Sequence, residues 1–100
     1  MAQIIWTVRA ADDLEEIAEY IAADKPDAAT NFVTKVVASI QGLADFPGQG
    51  RIVPEFQSEH YRELIVPPCR VIYTPATDAV IILRILRGER QLYEGMLSRN

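Results

Sequence analysis

Cysteine and histidine are almost missing from this 100-residue chain, which holds a single Cys, Cys69, and a single His, His60. One Cys cannot close a disulfide within the chain, and one Cys with one His cannot supply the four ligands of a structural zinc site. His60 also lacks the positioned companion that general-base catalysis needs. We therefore expect no metal site and no cofactor, and we interpret Cys69 as a small buried apolar residue.

Long hydrophobic runs are missing as well. The longest strongly apolar stretch, Ala79–Leu86, spans eight residues and is interrupted by Arg84, whereas a membrane-spanning helix needs about 20. The first residues, MAQIIWTVR, do not resemble a cleaved secretion signal. The GQG at 48–50 lacks the preceding strand and third glycine of a nucleotide-binding loop. We expect one cytoplasmic domain over residues 1–100, with no membrane association.

Lysine is scarce, because Lys25 and Lys35 are the only lysines among ten basic residues and the net charge is −4. An acidic protein is poorly suited to bind nucleic-acid phosphates. The charge is also uneven: residues 1–50 hold three basic and eight acidic groups, whereas residues 51–100 hold seven arginines and six acidic groups. Arginine suits paired contacts with carboxylates. This distribution predicts protein partners and no direct nucleic-acid binding.

Hydropathy patterns divide the chain into one strand, two helices and then further strands. The apolar positions of the first helix recur at three and four residues from Ala11 to Ile21, after Thr7 as its N-cap. Pro26 suits the start of the second helix, which forms a hairpin with the first. The remaining predicted elements are a strand over residues 3–8, a loop over 51–59, an antiparallel meander of strands over 61–66, 69–74 and 79–86, and a tail over 87–100 that fits either a strand or a short helix.

The last predicted strand is apolar on both faces. Its alternation places Val80, Ile82, Arg84 and Leu86 together on one face. A helical hairpin covers a single face of a small sheet, so the other face either binds a partner or lies under the C-terminal tail. The partner interpretation is favoured, because sizeable exposed apolar patches usually mark interaction sites.

Six blocks of the sequence, taken in order, resemble the ParE/RelE family of bacterial toxins. Nearly the whole chain takes part in the resemblance, and the ParE branch is the more similar, chiefly through the FPGQGR loop and YREL followed by RVIY. Arg87 stands where ParE-like sequences commonly carry His, and Cys69 stands where an aromatic residue is common. The six blocks are Trp6-Thr7, Leu14–Val33, Leu43–Glu55, Tyr61–Leu64, Cys69–Pro75 and Ile81–Leu92.

The resemblance implies an α+β fold of order β-α-α-β-β-β, with a helical hairpin packed on one face of a small, mainly antiparallel sheet. It also implies the toxin of a type II toxin–antitoxin system, held in check by a cognate antitoxin protein. ParE-like toxins inhibit DNA gyrase and block replication, whereas RelE-like toxins are ribosome-dependent endoribonucleases that cut mRNA. An inactive member that only binds its antitoxin is a further possibility, which Arg87 keeps open.

Acidic net charge favours gyrase over the ribosome as the target, because a protein of charge −4 is repelled by RNA at long range. We therefore expect no catalytic residues. If the chain is RelE-like, the residues that align with catalytic positions are Arg70 and Arg90, with Tyr93 three residues before the expected tyrosine. We predict that acidic and apolar antitoxin side chains cover an arginine-bearing surface, formed by Arg62, Arg70, Val80, Ile82, Arg84, Leu86, Arg87 and Arg90.

Overall fold

The computed structural model describes residues 1–97, which form two helices and five strands. Short 3-10 turns follow the second helix at Gly42–Ala44 and occupy the C-terminal tail at Glu94–Met96. In chain order the regular elements are β1 (Gln3–Trp6), α1 (Val8–Ala22), α2 (Pro26–Gln41), β2 (Arg51–Ile52), β3 (Arg62–Val66), β4 (Cys69–Ala76) and β5 (Ala79–Arg87).

The five strands form one sheet in the order β1-β5-β4-β3-β2. β1 runs parallel to β5, and the other neighbours are antiparallel. The predicted α+β class, with a helical hairpin on a mainly antiparallel sheet, is confirmed. The interpretation of residues 51–59 as loop alone was wrong, since β2 lies there and pairs with β3. Two residues are too few to show a period of two in the sequence.

Local chemistry sets the ends of the helices. The Thr7 hydroxyl accepts a hydrogen bond from the Ala10 amide at 3.1 Å and donates one to the Ile82 carbonyl at 2.8 Å. This single side chain therefore caps α1 and ties its start to β5. Pro26 occupies the first turn of α2, where its missing N–H leaves no intrahelical bond unmade. Both positions agree with the prediction from sequence.

The hairpin covers one face of the sheet with a continuous apolar cluster. Fully buried members include Val36 and Ile40 of α2 and Val71 and Tyr73 of β4. Val80, Ile82 and Ile85 of β5 belong to the same cluster. Burial of this apolar surface is the main force that holds the hairpin to the sheet.

The prediction that four alternating residues of β5 share one face was wrong. The register between β4 and β5 shifts between Ile72, which pairs with Arg84, and Tyr73, which pairs with Ile82. An extra residue, Leu83, is thus accommodated as a bulge, and a bulge reverses the alternation beyond it. Val80 and Ile82 consequently face the hairpin, whereas Arg84 and Leu86 lie on the opposite side.

The opposite face of the sheet is not open, which corrects the favoured interpretation of the sequence. Two irregular segments of this chain cover it, residues 53–61 and residues 88–97, which we call the strap. Ile72, Leu83 and Leu86 pack there against strap residues such as Leu92 and Met96. A sheet with apolar side chains on both faces needs two covering layers, and the strap supplies the second. Residues 98–100 of the predicted tail lie outside the described residues.

Neither helix among residues 1–97 is long and apolar enough to span a bilayer.

Candidate functional site

Arg70 lies at the centre of an ion-pair network between the sheet and the strap. Its Nη2 is 2.7 Å from Glu55 Oε2, and its Nη1 is 3.2 Å from Glu55 Oε1. Nη1 also lies 3.0 Å from Oε1 of Glu63, whose other oxygen accepts a hydrogen bond from Arg51 Nε. Arg70 is 6% exposed and Glu63 is 1% exposed. The guanidinium is therefore enclosed and neutralised by two carboxylates of its own chain.

Glu55 links this network to the C-terminal half of the strap. Its Oε2 also accepts a hydrogen bond from the Leu92 amide at 3.2 Å. The hydrogen bonds from Arg70 lower the pKa of the Glu55 carboxyl below its ordinary value of 4.5. Glu55 thus holds both halves of the strap to β4 in its ionised form.

A second buried ion pair joins α1, β5 and the strap. Arg84 Nε lies 2.6 Å from Asp13 Oδ2, and Arg84 Nη2 lies 2.9 Å from Asp13 Oδ1. This two-bond geometry is strong and directional, and it raises the pKa of Arg84 above its ordinary value. Asp13 Oδ2 also accepts from the Ile85 amide at 3.0 Å, and Arg84 Nη1 donates to the Met96 carbonyl at 3.4 Å.

The FPGQG loop is held by Tyr73 of β4. The Tyr73 hydroxyl donates to the Pro47 carbonyl and accepts from the Gly50 amide, both at 2.8 Å. A Cβ atom at position 50 would lie 2.5 Å from the Glu63 carbonyl oxygen, so glycine is required there. Arg62 Nη1 donates to the Gly50 carbonyl at 2.9 Å. The loop is thereby fixed, and Phe46 at its start is 69% exposed.

An open groove of about 670 Å³ runs between α1 and the end of β5. Ile17 and Ile85 contribute to its apolar lining, and Arg90 lies at its rim. The Arg87 guanidinium lies 5.9 Å from the centroid of the Tyr20 ring, within the range of a cation–π contact. This groove combines apolar lining with charges of both signs, because Glu16 and Glu89 line it beside Arg87 and Arg90.

The predicted antitoxin-binding residues do not form one surface. Val80 and Ile82 lie beneath the hairpin, and Arg70, Arg84 and Leu86 lie beneath the strap. Arg62 is partly buried against the FPGQG loop, whereas Arg87 and Arg90 are exposed at the groove. Among the predicted RelE-like residues, Arg70 is enclosed while Arg90 and Tyr93 are exposed.

Three carboxylates, Asp13, Glu55 and Glu63, were not identified from sequence as the partners of the buried arginines. An arginine within an apolar strand, such as Arg84, does signal that a carboxylate must lie nearby. The sequence cannot say which one, because Asp13 and Arg84 are 71 residues apart in the chain.

Cys69 and His60 are the two remaining candidate residues, and neither shows a sign of unusual reactivity. Burial raises the pKa of the Cys69 thiol, so little reactive thiolate forms near neutral pH. His60 is exposed. Within residues 1–97 there is no group of three His, Cys, Asp or Glu side chains placed to hold a metal ion.

Comparison with known proteins agrees with these features. Residues 4–92 match the family described as the ParE toxin of the type II toxin–antitoxin system parDE. The protein named Toxin RelE2 from Caulobacter vibrioides is 36% identical over 91 residues, which cover 90% of this chain and 99% of that protein. A solved structure titled "Chromosomal ParDE TA system from P. aeruginosa" superposes with a TM-score of 0.76 at 27% identity, and it covers 89% of this chain and 98% of that one.

Proposed function

This chain belongs to the ParE toxin family of type II toxin–antitoxin systems, and we propose that it inhibits DNA gyrase by direct protein contact. A cognate antitoxin protein binds the toxin and neutralises it. The proposal takes the activity of the ParE branch, which the sequence resembles more closely than the RelE branch. Net charge of −4 also favours a protein target over ribosomal RNA.

The enclosure of Arg70 by two carboxylates is the observation that carries the proposal. A ribonuclease of the RelE type would need this arginine to stabilise charge on the scissile phosphate. Here its side chain is 7% exposed and contacts both Glu55 and Glu63. To reach a phosphate, it would have to leave two carboxylates and displace the strap, so it is not preorganised to stabilise charge on a phosphate.

The antitoxin contacts are proposed at the two arginines of the α1–β5 groove that remain accessible, Arg87 and Arg90. Among residues 1–97 the ion-pair partner of Arg87 is Glu89, and both side chains are more than half exposed, so this pair contributes little stability. Acidic antitoxin side chains can replace it easily. The buried residues Arg70, Arg84, Val80, Ile82 and Leu86 act indirectly, by holding the surface in shape.

Ribosome-dependent mRNA cleavage is the second candidate, which the name of the relative Toxin RelE2 favours. In that case Arg90 and Tyr93 would contact the RNA, because both are exposed. The acidic charge and the enclosed Arg70 weigh against it.

Two assays on the purified toxin separate the candidates. We expect the protein to inhibit supercoiling by gyrase and to leave mRNA on programmed ribosomes uncut. The double variant Arg90→Ala/Tyr93→Phe should abolish any cleavage that a RelE-like activity causes, with Glu89→Ala as a neighbouring exposed control. Ribosome-dependent cleavage without gyrase inhibition would overturn the proposal. Inactivity in both assays, with retained antitoxin binding, would indicate an inactive family member and would also overturn it.

A further inference from the structure

The two edges of the sheet differ in how they are protected. At one edge β2 has only two residues, its Arg51 is held by Glu63, and Pro54 follows shortly after. Short length, charge and proline are the usual devices that stop an edge strand from pairing with another chain. At the other edge β1 reads QIIW, with no charge and no proline. β1 therefore lacks two of the devices that protect β2.

Backbone geometry shows which groups of β1 are available. Gln3 and Thr7 donate their amides to the carbonyls of Asp78 and Ile82, so the odd-numbered residues face β5. Neighbouring residues of a strand point their N–H and C=O groups to opposite sides, so those of Ile4 and Trp6 face away from β5. Within residues 1–97 no strand pairs with β1 on that side, where the Ala2 amide at the start of the segment donates to the Ala44 carbonyl at 2.8 Å and leaves Ile4 to Trp6 as the open part of the edge.

The spacing of these groups is self-complementary. In an antiparallel pair, two residues opposite each other exchange both of their hydrogen bonds. A second copy, rotated by a two-fold axis through Ile5, places its Trp6 opposite Ile4 and its Ile4 opposite Trp6. All the outward-facing groups of Ile4 and Trp6 on both copies then gain partners. Ile5, which is 41% exposed, comes to lie opposite its own symmetry mate.

We propose that β1 pairs with β1 of a second copy of this chain, which joins two five-stranded sheets into one. Such an interface is isologous, as is usual in homodimers. No like charges meet across the pair, because β1 has no charged residue. The contact is short, so we expect a weak dimer that forms only at high protein concentration.

The test exploits the position of Ile5 on the proposed axis. We expect association of the wild-type chain when its sedimentation is followed from about 1 µM to about 1 mM, a range that covers weak complexes. Ile5→Lys and Ile5→Glu should each weaken self-association by about tenfold, because like charges meet across the axis. A mixture of the two variants should restore it. Ile52→Lys and Ile52→Glu, at the 38% exposed Ile52 of the other edge, are the matched controls.

The single tryptophan gives an independent measurement, because Trp6 lies in the proposed interface. Its emission should shift to shorter wavelength as concentration rises in the wild type and in the Ile52 variants, and only at about tenfold higher concentration in either Ile5 variant alone. A monomer at all concentrations would overturn the proposal, as would equal weakening by the Ile5 and Ile52 variants. A Trp6 shift that appears only on addition of antitoxin would assign this edge to the antitoxin and overturn pairing with a second copy.

Discussion

Under the helical hairpin the sheet is covered by two regular helices and a continuous apolar cluster, whereas its opposite face is covered by the irregular strap. On the strap side the apolar contacts are supplemented by two buried arginines, Arg70 and Arg84, and their carboxylates. Regular helices satisfy their own backbone groups and need only an apolar stripe to dock. An irregular segment has fewer such bonds, so directional ion pairs hold it in place.

This difference gives a place to four of the seven arginines in the second half of the chain. Two of these residues, Arg70 and Arg84, hold the strap and α1, and two more, Arg87 and Arg90, lie exposed at the groove beside it. The buried pair is structural, while the exposed pair is available to a partner. Burial therefore separates the structural arginines from the two at which we propose antitoxin contacts.

Asp13→Ala should have the largest effect on stability, because it leaves Arg84 buried without a partner. Loss of one member of a buried ion pair typically costs ~3–5 kcal/mol of unfolding free energy. Asp12→Ala, at the exposed neighbouring position, should change it by less than ~0.5 kcal/mol. Urea denaturation measures both values. Similar costs for the two variants would show that the Asp13–Arg84 pair does not hold α1 to the strap side.

Leu92→Ala and Ile40→Ala compare the apolar contacts of the two faces directly. Both side chains are buried, at 3% and 0% exposure. We expect a cost of ~3–4 kcal/mol for Ile40→Ala and ~2 kcal/mol for Leu92→Ala, because the irregular strap can relax into the space that is left. Hydrogen exchange should show local opening of the strap in Leu92→Ala alone. Equal costs with global opening in both variants would contradict the proposed difference between the faces.

Acid should loosen the strap before it affects the hairpin. The pKa of Glu55 is lowered in the folded protein, so its stabilising contribution is present above the ordinary value of 4.5 and is lost as pH falls through the lowered pKa. The NMR signal of the Leu92 amide, which donates to Glu55, should move in this window while that of Val36 stays constant. In Glu55→Gln the Leu92 signal should not respond to acid, and a response like that of the wild type would contradict the assignment.

Much of the fold could be predicted from the sequence, because it follows from local chemistry. Thr7 as a cap, Pro26 as a helix start and the alternation of apolar residues are all short-range signals. The bulge at Leu83 was not predictable, because it depends on the register between two strands and leaves no mark on the alternation of either one. Its consequence was that Val80 and Ile82 were assigned to the wrong face.

The candidate site was less predictable than the fold. The sequence identified the arginines of the second half and their resemblance to toxin positions, but it treated Arg70, Arg84, Arg87 and Arg90 as one surface. Charge pairs over long separations, such as Arg84 with Asp13, arise only when distant segments are packed together. The exposure of each arginine therefore could not be determined from the pattern.

By itself the sequence determined the class of the fold, the order of its elements apart from β2, and the family of toxins to which the chain belongs. These depend on periodicity, caps and turns, which act over a few residues, and on blocks that lie in register along the chain. The tertiary structure alone decided which face of the sheet each β5 residue occupies, which arginines are neutralised and which strands lie at the edges of the sheet. Those properties depend on strand register and on contacts between residues far apart in the chain, and no local pattern specifies them.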